Sequence, residues 1–456
     1  MDKELWDHIL QFDFDDPPSE YGFTTRLANE NYWTKAFTEL AILEYRKFMY
    51  LAATSEMMVS PSEIVDTVWH QHLIFTQSYS RFCTLIGKQV QHIPSTHNRE
   101  EFAKFRQAKE RTQELYTSVF GEQPKAIWEY QGMFESLNLD KSKFKIRNFL
   151  VFGILGFIAL IAPCYFLLSP IYVEIHNPYF VIGFIALCLI AFAGLEFYNR
   201  NQLRNIVTGF DKDSFFYHLK PYELVYLKTQ RLNQIINGTV NEMIDNNTIY
   251  INPDRTIGLI NPDNASFKEQ LQTVAVLSEL GRPSYPALLR QLLNKPIFWN
   301  TAKCMDAFKK YLNKSKKFGN LFYMNFGVLT IVLMLGITRL TTGIMRERPV
   351  LQILMVTLIL TVLIISYLNR LTKMLCTQTI PNLYKTDILP KWPVKDDWQW
   401  QYFLMGSAVL TAAFIPVISY KEKNDQFGSD SGSSGSSCGS SCGSSCSSCG
   451  GCGGGD

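Results

Sequence analysis

Apolar residues along the chain are concentrated in five long runs separated by polar segments. The runs cover residues 149–168, 179–198, 318–338, 350–368 and 402–418. A helix of about twenty apolar residues crosses the roughly 30 Å hydrocarbon layer of a bilayer. The pattern therefore predicts five transmembrane helices, of which the fifth is the shortest. Trp398 and Trp400 precede the fifth run, as interfacial anchors do.

Lys and Arg flank these runs unevenly, and short cytosolic loops usually carry the excess of both. Residues 141–147 hold four of them and residues 309–317 hold five, whereas residues 169–178 hold none. We therefore expect a cytosolic N-terminus and, with five spans, a C-terminal tail outside the cytosol. The three arginines in residues 339–349 oppose this orientation. If the fifth run does not cross, the tail stays in the cytosol.

Charge within the runs bears on the class of membrane protein. The 456-residue chain is nearly balanced, with 44 basic and 41 acidic residues. Within the five runs the one ionisable carboxylate is Glu196, one turn from the end of its run. Ionisable groups inside a membrane are costly and usually mark transport paths. The runs are thus interpreted as anchors, and a pump or ion-coupled carrier is not expected.

Residues 1–135 are predicted to form a cytosolic helical domain. Apolar residues recur at intervals of three and four in 32–52, 60–87 and 98–120, which is typical of amphipathic helices. The second of these helices is expected to begin with Ser60 as N-cap, Pro61 at its first position and Glu63 three residues after the cap. Gly87 and Gly121 are the expected stop signals.

Several histidines in this domain raise the question of a metal site. Residues two apart on a helix point about 200° from each other, so His70 and His72 cannot hold one ion together. Asp66 and His70 share a face, and a site would form if His92 or His97 folded back onto it. The alternative is a structural Asp–His contact plus a core histidine, since zinc sites usually have three or four ligands. The candidate metal ligands are Asp66, His70, His72 and His92, with zinc as the candidate cofactor.

Five stretches of this domain share a pattern with a known family. They read FTTRLANENYW, LEYRKFMYLA, VSPSEIVDTVWHQHLIFTQSY, QHIPS and FGEQPKAIW. On these residues, about 22–130 resembles the glycine-rich domain-containing protein-like family, most specifically in Pro-Ser-x-x-Val-Asp-x-x-Trp-His-x-His. The resemblance implies a domain without an assigned reaction. It points to Asp66, Trp69, His70 and His72 as the positions to test.

Residues 205–315 are predicted to form a small cytosolic α+β domain between spans two and three. Two helices are followed by a hairpin that turns at residues 252–254, which suggests a winged-helix-like unit with further helices at 267–279, 285–293 and 301–312. A DNA reader needs a basic recognition helix. The helix in that position has Arg231 at its start but Glu242 and Asp245 near its end, so we expect no nucleic-acid partner. Protein interaction or packing is the expected role.

The C-terminal residues 428–456 are almost entirely Gly, Ser and Cys and are expected to be disordered. Their five thiols are Cys438, Cys442, Cys446, Cys449 and Cys452. Outside the cytosol such thiols would oxidise or cross-link, and inside it metal binding would be their leading role. A tail without selected chemistry is the remaining alternative. Together with the spans, the tail resembles uncharacterised bacterial multi-span membrane proteins with Gly/Cys-rich C-termini.

The sequence thus predicts a mainly α integral membrane protein with the bilayer and other proteins as partners. Its leading functional interpretation is a non-enzymatic interaction or scaffold protein that displays a Cys-rich tail outside the cytosol. The first alternative is a metal-dependent enzyme or metal-binding protein that uses the Asp/His residues. The second alternative is a protein whose tail is a modified or cleaved peptide cargo.

Overall fold

The computed structural model describes residues 1–93, 99–391 and 397–418, with only the backbone of residues 99–102. In this part of the chain the fold is mainly α, as predicted, with 75% of residues in helix and one two-stranded hairpin. His97 and the tail thiols lie outside the described residues.

In the described part of residues 1–135, the predicted N-terminal domain, the chain forms seven α-helices. They are α1 (Lys3–Gln11), α2 (Phe23–Asn31), α3 (Lys35–Thr54), α4 (Glu63–Ile74), α5 (Thr76–Leu85), α6 (Arg99–Phe120) and α7 (Lys125–Trp128). The helix predicted over 60–87 is wrong in two respects. It is two helices, because Phe75 leaves the helical region at φ −89° and ψ 65° and its N–H donates back to the His72 carbonyl. Its N-cap is Ser62, whose hydroxyl accepts from the Val65 N–H, and not Ser60.

Four long apolar helices confirm the first four predicted runs as candidate membrane spans. They are α8 (Ile146–Glu174), α9 (Asn177–Thr208), α15 (Lys316–Met345) and α16 (Leu351–Met374), the last continuing through π-turns and α17 (Ile380–Leu383) to Lys391. Helix α15 is central in the bundle. Of the residues in its apolar stretch 44% are buried, whereas none of those in the apolar stretch of α8 are buried. At Gly336 a Cβ would lie 2.7 Å from the Phe184 ring, so glycine permits close packing of α15 on α9.

Polar side chains connect the helices of the bundle at two places, by hydrogen bonds at one and by ion pairs at the other. Asn199 and Asn325 exchange hydrogen bonds between α9 and α15, and Asn199 also donates to Tyr367 of α16. Glu196 forms ion pairs with Arg200 and Arg370. The carboxylate noted in the sequence is therefore compensated by two arginines of the bundle itself.

The fifth predicted transmembrane helix is not formed. Residues 402–418 contain the end of α18 (Trp398–Met405), a 3-10 turn and a final short turn, and Gly406 breaks the helix at φ +64°. Phe414 is fully buried against Tyr285, and the Thr411 N–H donates to Asn241. These partners belong to the middle domain, so the protein itself buries Tyr402, Phe403, Phe414 and Val417 of this segment. Of the described helices, four qualify as candidate spans.

The middle domain follows the predicted order of two helices, a hairpin and three helices. Its elements are α10 (Pro221–Thr229), α11 (Leu232–Asp245), β1 (Ile249–Ile251), β2 (Ile257–Leu259), α12 (Lys268–Leu280), α13 (Tyr285–Leu292) and α14 (Pro296–Asn313). The strands pair antiparallel with Tyr250 opposite Gly258. Helix α14 begins at Pro296, before the predicted start at residue 301, because proline suits the first turn of a helix.

The N-terminal and middle domains contact each other directly. The Lys35 N–H donates to Glu223, the Cys304 thiol donates to the Tyr32 carbonyl, and Asp15 forms an ion pair with Lys268. Buried side chains of the two domains belong to one continuous core. The two domains therefore lie on the same end of the helical bundle.

Candidate metal centre

Helix α4 presents two of the candidate ligands on one face. Asp66 lies in its first turn and His70 one turn later, and the His70 Nδ1 is 3.3 Å from the Asp66 Oδ2. This contact confirms the shared face predicted from the four-residue spacing. Asp66 also suits the N-terminal turn because the helix dipole favours a carboxylate there.

The third candidate ligand, His92, lies in the loop that follows α5. Gly87 (φ +69°) reverses the chain after that helix. The Trp69 Nε1–H donates to the Tyr79 hydroxyl at 3.1 Å, and that hydroxyl donates to the Val90 carbonyl. Val90 is two residues before His92, so this hydrogen-bonded chain fixes the loop and directs His92 towards α4.

The three side chains converge at the surface of the domain. The His92 Nε2 is 2.9 Å from the Asp66 Oδ1, and the His70 and His92 rings have centroids 4.3 Å apart. One potential ligand atom from each residue lies within 4.8 Å of the other two. The Trp69 ring covers one side of His92 at 4.7 Å. The His70 side chain is 57% exposed, so an ion can reach the cluster from solvent.

His72 is separated from the other candidate ligands. It is fully buried, its Nδ1 lies 2.9 Å from the Tyr45 hydroxyl, and its Nε2 lies 3.2 Å from the Ser78 hydroxyl. Burial lowers the pKa of His72 to about 3, so the ring is neutral at physiological pH. Both ring nitrogens have partners within the core, and the structure does not bring His72 to the site of Asp66, His70 and His92.

Two chemical roles fit the convergent cluster. Without an ion, Asp66 accepts a hydrogen bond from His92 and lies beside His70, and the cluster stabilises the loop after α5. With an ion, two imidazole nitrogens and a carboxylate provide three ligands and leave an open position, as in catalytic zinc and non-haem iron sites. The residue types suit Zn²⁺ and Fe²⁺, whose ligands include imidazole and carboxylate.

Residues that position the cluster were not identified from the sequence. Tyr79 holds the loop and Tyr45 holds the buried His72, and the only available signal was the helical spacing that places Tyr79 on the face of His72. The five cysteines outside the tail are free thiols with buried or half-buried side chains, as is typical of packing residues. They are Cys83, Cys164, Cys188, Cys304 and Cys376.

Comparison with known proteins adds a family match at this site. The four candidate spans indicate a multi-pass membrane protein. Within it, residues 21–116 match the family model described as UCP032817-like, a range that contains Asp66, His70 and His92. The membrane helices and the middle domain lie outside the match. No curated protein and no solved structure matches the chain.

Proposed function

We propose that this protein is a membrane-anchored metal-binding protein whose Asp66, His70 and His92 hold a transition metal such as zinc or Fe²⁺. The observation that carries the proposal is the convergence of three ligating side chains from two separate elements. Asp66 and His70 share a helix face because of their spacing. His92 is 22 residues further along the chain than His70, and the loop after α5 places it beside them. The cluster lies in the part of the chain that matches the family model.

The surroundings of the cluster favour an ion over a purely structural contact. A hydrogen-bonded core histidine needs burial, as His72 has it, whereas His70 is largely exposed and gains little stability from an exposed ion pair. Metal sites rely on a rigid outer shell that orients the ligands. The contacts from Trp69 to Tyr79 and from Tyr79 to the Val90 carbonyl supply such a shell.

We further infer that both domains lie in the cytosol. The basic segments 141–147 and 309–317 enter the bundle at the end that carries the domains, which is the arrangement expected of cytosolic flanks. One of the three arginines of 339–349 is bound within the helical bundle. The Arg339 guanidinium donates to the carbonyls of Tyr172 and Ile175 and to Asn177. It therefore caps the C-terminal end of α8, and this contact explains its presence without a cytosolic location.

The proposed side of the tail changes with the number of spans. Four spans return the chain to the side on which it entered, and residues 397–418 contact the cytosolic middle domain. We therefore propose a cytosolic tail in place of the exported one expected from five spans. Cytosolic thiols remain reduced. The five tail cysteines would then act as metal ligands beside a metal-binding domain.

An interaction or scaffold role is the second candidate function. It is supported by the two cytosolic domains held on a bundle with few ionisable side chains, and it includes the winged-helix-like interpretation of the middle domain. The finer assignment of residues 22–130 to the glycine-rich domain-containing protein-like family belongs to the same proposal. Neither candidate includes an assigned reaction.

Metal analysis of the full chain in detergent tests the first proposal. The protein is purified without chelator in a background in which the five tail cysteines are replaced by serine, so that only the cluster is measured. We expect one equivalent of zinc or iron per chain. His70→Ala and His92→Ala should each weaken binding at least about tenfold, because each removes one of three ligands.

The control is His8→Ala, which removes an exposed histidine on α1 outside the cluster. It should bind metal as the parent does, and the thermal midpoint of each variant shows whether the fold is kept. Metal content well below one equivalent, equal in the parent and in His70→Ala, would contradict the metal proposal and leave the structural Asp–His contact.

A further inference from the structure

A large cleft separates the N-terminal domain from the middle domain. Its volume is about 980 Å³, at the upper end of the roughly 300–1,000 Å³ of small-molecule sites. Helices α2 and α3 with residues 10–15 form one wall, and α10, α11, α12 and α14 form the other, with the start of α18 at its edge. None of Asp66, His70 and His92 lines it, so it is distinct from the metal-binding cluster.

Carboxylates outnumber cations among the residues that line the cleft. The acidic residues are Asp13, Asp15, Glu39, Glu223, Glu242, Glu269 and Asp397. The basic residues are Lys35, Arg46, Lys220 and Lys268. The cleft therefore has an excess of negative charge in its lining, which favours a cationic ligand.

Most of the basic side chains are already engaged. Lys268 forms an ion pair with Asp15, and Lys35 forms one with Glu269. The Arg46 guanidinium donates to main-chain carbonyls at the C-terminal end of α1, among them those of Leu10 and Phe12. The charges of Lys35 and Lys268 are therefore balanced within ion pairs, and that of Arg46 is bound to main-chain carbonyls.

Two of the carboxylates have neutral partners. Glu223 is buried and accepts hydrogen bonds from the main-chain N–H groups of Lys35 and Lys220. Glu242 accepts from the Tyr222 hydroxyl and from Gln399. Burial raises the pKa of both carboxyl groups, that of Glu223 to about 7, and in Glu223 it outweighs the opposing effect of the main-chain N–H groups and of the Lys35 and Lys220 charges.

A further acceptor in the cleft lacks a donor. Among the described residues, nothing donates a hydrogen bond to the buried Asn300 side-chain oxygen. A buried acceptor without a donor is unfavourable, and a ligand N–H would satisfy it. Aromatic rings complete the lining, and Lys35 already lies over the Phe267 ring at 5.5 Å. The walls thus offer acceptors and ring faces, both of which bind ammonium groups.

We propose that the cleft between α3 and the middle domain binds a small organic cation that carries N–H donors, with Glu39, Glu242 and Asn300 as its contacts. The excess of carboxylates attracts the ligand, and the unsatisfied Asn300 oxygen selects ligands with N–H groups. Both domains form the cleft, so the ligand would also hold them together.

Isothermal titration calorimetry of the full chain in detergent, at about pH 8 so that the carboxyls are ionised, tests this proposal with three probes. Spermidine carries the charge and the N–H donors, choline carries the charge without N–H donors, and succinate carries the opposite charge. We expect saturable binding of spermidine, binding of choline at least about tenfold weaker, and no binding of succinate.

Variants locate the site. Glu39→Gln combined with Glu242→Gln should weaken spermidine binding at least about tenfold, and Asn300→Leu should remove the preference for spermidine over choline. Glu39 is exposed, so Glu39→Gln alone keeps the fold and should still weaken binding measurably. The matched control is Glu114→Gln, an exposed glutamate of α6 outside the cleft, which should bind as the wild type does.

The proposal is overturned if the folded wild type does not bind spermidine saturably, or if the double variant binds it as tightly as the Glu114→Gln control. Tighter binding of succinate, or of a basic peptide, would also overturn it. His70→Ala should leave spermidine binding unchanged. The failure of the cleft proposal and the failure of the metal proposal are therefore observed separately.

Discussion

At the scale of single residues, His70 and His72 are two positions apart and have opposite environments. His70 is exposed beside Asp66 and His92, whereas His72 is enclosed by the rings of Phe14 and Phe23 and bonded to two hydroxyls. The helix period accounts for the difference, because it turns one histidine to solvent and the other to the core. Ligand binding and stability are therefore assigned to different histidines.

The buried His72 predicts acid sensitivity of the fold. Its pKa is about 3 in the folded chain and 6.5 in the unfolded chain, so the unfolded state binds the proton more tightly. The stabilisation is complete above pH 6.5 and is lost as the pH falls towards 3. At about pH 5 the loss amounts to roughly 2 kcal/mol.

The thermal midpoint of the full chain at about pH 7 and pH 5 measures this effect. His72→Gln should have a lower midpoint at neutral pH, because Tyr45 and Ser78 lose well-placed partners, but a smaller drop on acidification than the wild type. His70→Gln is the matched comparison and should keep most of the wild-type drop. An equal drop in both variants would show that His72 does not carry the acid sensitivity.

At the scale of elements, residues 402–418 show how the surroundings decide the fate of an apolar segment. Tyr402 hydrogen-bonds the Gln234 carbonyl of α11, and Phe414 packs against Tyr285 at 5.1 Å between ring centroids. Gly406 has a positive φ that other residues adopt at a cost, so the segment bends where a transmembrane helix would continue. Its buried side chains, among them Tyr402 and Phe414, pack on the middle domain.

Phe414→Ala should destabilise the protein by about 3–5 kcal/mol, because it removes a fully buried ring and leaves a cavity. Met405→Ala, at a position 60% exposed, should change the stability by less than about 0.5 kcal/mol. Chemical denaturation followed by tryptophan fluorescence compares the two variants. Similar small effects of both would indicate that the segment does not pack on the middle domain.

At the scale of the whole molecule, four candidate spans and two domains in contact give one consistent arrangement. The bundle carries the domains at a single end, and the segment after the last span returns to them. With basic residues at that end, we expect the domains and the tail in the cytosol.

A membrane-impermeant maleimide tests this topology in cells. We expect the tail cysteines to be labelled only after lysis, and a variant without the five tail cysteines to lose that labelling, since the other cysteines are buried or half-buried. Labelling of intact cells that disappears in the variant would place the tail outside and require a further crossing. Labelling of intact cells only after reduction would indicate paired thiols outside the cytosol.

The sequence by itself determined the features that depend on local pattern. The four spans follow from hydrophobicity, because a helix in a bilayer satisfies its own backbone hydrogen bonds and needs only apolar side chains. The order of the middle-domain elements and the contact between Asp66 and His70 follow from periodicity and spacing.

Only the tertiary structure decided which partner covers each apolar or polar surface. Residues 402–418 have the same composition whether lipid or the middle domain buries them, so the sequence alone predicted a span. His92 lies beside Asp66 because the chain turns at Gly87 and Tyr79 holds the loop in place. Neither spacing nor composition predicts this placement. The cleft consists of side chains up to several hundred positions apart, from Asp13 to Asp397, whose proximity arises only when the two domains pack together.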